Sequence, residues 1–182
     1  IYSDPQQALT LLQQISLDSL SSKEENAYYG LLLSHASDRN ERNLLPCDSL
    51  LNLAIDFYHK GFNKGRSLFY KARLLTAMGM EDEAMGYYFG SLKEFGHTPR
   101  EIRFKGMVYE DLGNIYFDQA IYKEALEKYT TALKYYSIIN DKKAMIYASS
   151  MASSVCLMDS DNEKAHHFLN MEMQLAKEIH AI

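Results

Sequence analysis

Apolar residues recur at spacings of three and four along nearly the whole chain, and few runs alternate as a strand would. The pattern predicts about nine helices, over residues 5–17, 22–37, 48–60, 64–78, 81–94, 99–118, 121–138, 141–158 and 162–180. Start signals agree with it. Asp4, Pro5 and Gln7 read as an N-cap, a first helical position and the third position of a capping box. Ser22 with Glu25, and Thr98 with Pro99 and Glu101, repeat the device. Gly61 and Gly96 stand where a left-handed residue closes a helix. After the first helix the rest fall into four antiparallel pairs of about 40 residues each, a period that suggests a solenoid rather than a closed bundle.

One pair carries a sharper pattern. Numbered from Gly106, the chain places Tyr109, Leu112, Gly113 and Tyr116 on one helix and Ala125, Tyr129 and Ala132 on the next. Small residues at Gly113 and Ala125 let two helices approach where they cross, and the tyrosines fill the space beside the contact. Glu124 and Lys128 are spaced for an ion pair on the solvent face. The segment from Lys64 is a weaker copy, with Leu68, Ala72, Leu75, Gly79, Ala84, Tyr88 and Ser91. At the bend the weaker copy has Gly79 and the stronger one Ala120, which must accept a left-handed backbone or alter the turn.

These residues resemble the tetratricopeptide repeat. The best repeat spans 106–139 and the weaker one 64–95, with degenerate pairs at 22–60 and 141–180. The first helix, "PQQALTLLQQI", reads as the second half of a preceding unit. The resemblance implies one all-α domain over 1–182, a right-handed superhelix of antiparallel helix pairs. In that family the first helix of each pair lines a concave face. Carried over by position, the groove candidates are Arg66, Phe69, Arg73 and Thr76 from one pair and Met107, Glu110, Asn114, Phe117 and Asp118 from another. Tyr29 and Leu33 are the corresponding residues of the first pair. The mix of apolar surface, two arginines and two acids suits an extended peptide or a helix, including one from the same full-length chain. Some family members grip a terminal carboxylate with lysines and asparagines. Asn114 matches that set, but Phe69 and Glu110 stand where its lysines would be, so that clamp is not expected.

The expectation is therefore a non-enzymatic scaffold for a protein or peptide. The alternative is a sensory or regulatory domain of a larger bacterial signalling protein, because "SDPQQALTLLQQI" and "EDLGNIYFDQAIYKEALEKY" resemble the repeat domains of bacterial regulators. That alternative implies a location outside the cytoplasmic membrane. The chain starts on Ile1 and its helical pattern runs to the last residues, which reads as a segment of a longer protein.

Composition narrows the remaining classes. A net charge of −5 disfavours binding to a phosphate backbone. No stretch is long and apolar enough to span a bilayer. Cys47 and Cys156 are spaced neither as a disulfide framework nor as a zinc site and read as buried thiols. His166 and His167 are adjacent and point about 100° apart on a helix, while His35, His59, His97 and His180 lack partners at ligand spacing. "DSDNEK" from Asp159 lacks the glycine and the bidentate glutamate of a calcium loop and reads as a capped turn. Neither a phosphate loop nor a nucleophile elbow is present. No cofactor or metal is expected. Met145, Tyr147, Met151, Val155, Leu157, Phe168, Leu169 and Leu175 give the last pair an apolar end, where further chain or a second copy is expected to dock.

Overall fold

The computed structural model describes residues 4–180, the side chain of His180 excepted. Among the described residues the elements are α1 (Pro5–Gln13), α2 (Lys23–Arg39), α3 (Asp48–Phe57), α4 (Phe62–Ala77), α5 (Glu81–Glu94), α6 (Pro99–Asp118), α7 (Tyr122–Ile138), α8 (Lys142–Met158) and α9 (Asn162–His180). Two short 3₁₀ turns, Leu17–Ser19 and Leu45–Cys47, complete the set, with no strand. The chain is all-α, and adjacent helices pack in pairs as a helical repeat does.

The caps explain most boundaries. Asp4 accepts a hydrogen bond from the Gln7 backbone N–H at 2.8 Å. Ser22 with Glu25, and Thr98 with Glu101, form complete capping boxes. Asp161 accepts from the Lys164 backbone N–H at 3.1 Å and pairs with its ammonium, so one acid of "DSDNEK" caps α9. Helix ends share one device. Glu41, Gly79, Ala120, Asn140 and Ser160 all take positive φ, between 53° and 73°. In each case the following N–H bonds back to a carbonyl five residues earlier: Arg42 to Ser37, Met80 to Leu75, Ile121 to Tyr116, Asp141 to Tyr136 and Asp161 to Cys156. This is the Schellman closure. Ala120 thus accepts the left-handed backbone, at φ 58°.

Three expectations need correction. α1 stops at Gln13 rather than 17, because Gln14 and Ile15 bond three residues back and tighten the last turn. α3 stops at Phe57 because Tyr58 is extended. Neither Gly61 nor Gly96 closes a helix through αL. Gly61 (φ 84°, ψ −168°) is the N-cap of α4, and Gly96 is absent from the positive-φ glycines.

The contacts divide the chain into two compact units, Ile1–Phe95 and Gly96–Ile182. In the first, Leu9, Leu12, Tyr29 and Ala36 form one buried cluster. Phe69 meets Tyr70 and Tyr88 edge-on, with ring centroids 5.2 and 6.1 Å away. In the second, a line of buried alanines (Ala125, Ala132, Ala148, Ala152, Ala165) lets α7, α8 and α9 approach, and Tyr129, Tyr136, Val155 and Phe168 fill the flanks. Both cysteines are buried free thiols, and burial pushes each above its ordinary pKa.

Candidate functional site

In the second unit the site rests on a repeated contact between α6 and α7. Gly106 and Gly113 lie seven residues apart on α6, and Tyr136 and Tyr129 lie seven apart on the antiparallel α7. A Cβ on Gly113 would come within 2.8 Å of the Tyr129 ring, and one on Gly106 would run into the Tyr136 ring. Each tyrosine ring therefore packs against a glycine, and its hydroxyl reaches a polar side chain of α6. There Tyr129 donates to Asn114 Oδ1 at 2.6 Å and Tyr136 donates to Glu110 Oε2 at 2.9 Å.

Glu110 and Asn114 remain partly exposed, and Asp118, one turn further, is exposed. Met107 and Phe117 flank them, half-buried against the unit's core. Burial pushes the Tyr129 hydroxyl far above its ordinary range, and Tyr147, Asp118, Glu110 and Asp111 add to the effect. The α6 stripe thus carries two carboxylates, Glu110 and Asp118, and two of its polar groups, Glu110 and Asn114, are held by tyrosine hydroxyls. It keeps all five of its expected residues, Met107, Glu110, Asn114, Phe117 and Asp118, at least partly accessible.

The stripe expected on α4 is different. Phe69 is fully buried and Arg66 is 2% exposed. Arg73 makes a two-pronged pair through Nη1 with Asp38, at 2.8 and 2.9 Å, and lies over the Phe69 ring. Thr76 donates back to the Ala72 carbonyl. α2 packs on α4 as well as on its chain neighbours, reaching it through Asp38 and Arg73, and Tyr88 of α5 meets the Phe69 ring. Tyr29 is likewise buried and donates to the Leu12 carbonyl at 3.2 Å, while Leu33 is half-buried. Arg66 and Phe69 are thus core residues rather than an open lining.

Cations elsewhere on α4 are matched: Lys71 pairs with Asp48, and Lys64 donates to the Ile55 carbonyl. Arg66 has Phe62 beside it, its guanidinium carbon 5.6 Å from the ring centroid. Its Nε and Nη2 are buried and meet no hydrogen-bond acceptor among the described residues.

Several smaller expectations shift. Lys128 pairs with Glu127 rather than Glu124, and its ammonium lies 5.9 Å from the centre of the Tyr116 ring. Of the apolar end expected on α8 and α9, Val155, Phe168 and Leu175 belong to the core, whereas Tyr147, Leu157 and Leu169 are exposed. Among the described residues no three His, Cys, Asp or Glu side chains converge as a metal ion would require, and no helix is long and apolar enough to cross a membrane. A cleft of about 690 Å³ between Lys23, Asn52, Asp56, Phe57 and His59 has no counterpart in the sequence pattern. Its walls come from two helices and a loop, and no periodic signal links them.

No protein-family model matches the chain, and no curated protein does. The crystal structure of BtubC (BKLC) from P. vanneervenii is similar over 100% of this chain and 74% of its own, with a TM-score of 0.75 and 16% identity. At that identity the likeness shows the all-α fold alone.

Proposed function

We propose that this chain is a non-enzymatic scaffold of the tetratricopeptide kind, and that it holds an extended protein or peptide segment along α6. One observation carries the reading. Glu110 and Asn114 are gripped from behind by the hydroxyls of Tyr136 and Tyr129, yet both still reach solvent. Polar groups fixed in this way lose little freedom when a ligand pairs with them, which is how preorganisation raises affinity. Met107 and Phe117 supply apolar surface beside them, and the exposed carboxylate of Asp118 favours a segment carrying lysine or arginine. The heptad match of Gly106 and Gly113 with Tyr136 and Tyr129 supports the repeat resemblance.

The test starts from peptides selected on the wild-type protein from a random display library. Their dissociation constants are then measured by calorimetry against a Phe117→Ala/Asp118→Lys double variant. A central aromatic contact plus a reversed charge removes a hot spot of about 2 kcal/mol or more, so affinity falls at least about tenfold. Met173→Ser, on the exposed face of α9, serves as control and leaves affinity unchanged. Equal affinity for the double variant and the control rejects the α6 assignment.

A further inference from the structure

Arg66 is a buried charge without a counter-ion in contact among the described residues. Arginine does not relieve burial by losing its proton, and an uncompensated charge away from water is strongly unfavourable. The other long cations of α4 are each matched to an oxygen: Lys64 to a carbonyl, Lys71 to Asp48 and Arg73 to Asp38. Among its neighbours, Phe62 offers a ring face and Tyr58 a hydroxyl. Tyr58 is pushed above its ordinary pKa chiefly by burial and then by Glu24, with Asn63 and Arg66 acting against this. Glu24 itself is exposed and makes no ion pair with Arg66. Tyr58 and Phe62 are only half-buried.

The identity of the unpaired atoms is informative. Nε and Nη2 form the side-on edge of the guanidinium, whose two N–H bonds run parallel and match the two oxygens of one carboxylate. We propose that this edge of Arg66 is a receptor for the carboxylate of an acidic side chain, entering beside Tyr58 and Phe62.

The experiment uses sodium formate as probe, with no peptide present, on the 182-residue chain. Formate replaces sodium chloride at constant ionic strength, and the Arg66 Nε–H resonance is followed by ¹⁵N NMR. The resonance is assigned by its loss in Arg66→Met. A saturable shift with formate is expected, together with a saturable rise in melting temperature that Arg66→Met lacks. Arg66→Lys keeps the charge without the side-on edge and weakens the formate response. An unmoved resonance, or one that drifts alike in formate and chloride, overturns the subsite. Saturation by inorganic phosphate and not by formate overturns the carboxylate assignment. If Arg66→Met does not fold, the wild-type resonance still decides. A failure here leaves peptide binding on α6 standing, and a failure of the α6 variants leaves the formate result standing.

Discussion

Ala120→Gly isolates a single backbone conformation. Ala120 holds φ 58° at the end of α6, where its N–H bonds to the Phe117 carbonyl at 2.9 Å and the next N–H, from Ile121, bonds to Tyr116 at 2.8 Å. Its side chain is exposed, so no packing is lost on truncation. An L-residue in the left-handed region costs roughly 1–2 kcal/mol, because Cβ crowds the following carbonyl oxygen. Glycine avoids that clash but loses about 0.5–1 kcal/mol more chain entropy on folding. The difference favours Ala120→Gly by about 0.5–1 kcal/mol. For a chain of 182 residues this corresponds to a rise in melting temperature of about 1–4 °C.

Gly79 supplies the reciprocal experiment. It closes α4 with φ 73° and the same pair of bonds, to Thr76 and from Met80 to Leu75, and a Cβ there would meet nothing within 4 Å. Gly79→Ala therefore loses by backbone strain alone what Ala120→Gly gains. Urea unfolding followed by circular dichroism measures both, with unchanged m-values as evidence that the folded and unfolded states keep their compactness. A shift of the same sign in the two variants refutes the reasoning, because the two positions would then not share one closure.

Three other substitutions probe the packing and the caps. Gly113→Ala drives a methyl to within 2.8 Å of the Tyr129 ring and is expected to destabilise by about 1–3 kcal/mol, whereas Gly86→Ala, exposed in mid-helix with nothing near its Cβ, is expected to stabilise by about 1 kcal/mol; urea midpoints of opposite displacement check the pair. Tyr129→Phe removes the donor to Asn114 and is expected to cost about 1 kcal/mol, with the Asn114 side-chain amide signals in ¹⁵N NMR moving as the grip is lost. The Thr98 hydroxyl, then the Gly96 and Thr98 backbone N–H groups, hold the Glu101 carboxyl below its usual pKa. A depressed folded pKa contributes stability that is present above the unfolded value of about 4.3 and is lost as pH falls through the folded one. Glu101→Gln keeps an acceptor for the capping box but does not titrate, so its melting temperature falls less between pH 5 and pH 3 (values of about one unit either side of that carboxyl range).

Local chemistry was the legible part of the sequence. Ser22, Thr98 and Asp4 cap where the pattern of polar starts places them, because a cap and its partner lie three residues apart. Gly113 and Tyr129 were recognisable as packing residues because the repeat signature spans one helix pair. The second contact of the same pair was not, since Gly106–Tyr136 closes over 30 residues and depends on the antiparallel register of two helices. Gly96 misled for a different reason: glycine permits a left-handed backbone without requiring one.

The stripe of candidate residues shows the same limit where function is concerned. One carry-over of groove positions from the resembled repeat selected Arg66, Phe69, Arg73 and Thr76 on α4 and Met107, Glu110, Asn114, Phe117 and Asp118 on α6, each set along one helical stripe. Periodicity says which residues share a face, but not what packs against that face. On α4, Asp38 of α2 ties Arg73 across 35 residues, Tyr88 of α5 meets the Phe69 ring, and Phe69 goes from candidate contact to core. On α6 the tyrosines approach from behind, and the face stays accessible. The same substitution therefore has different meanings on the two helices. Phe117→Ala removes a half-exposed ring and reads out binding, whereas Phe69→Ala empties a fully buried position, where aromatic truncation typically costs about 3–5 kcal/mol and reads out folding. Loss of a partner in a Phe69 variant would not locate a binding surface, and the assignment has to stand on the α6 residues.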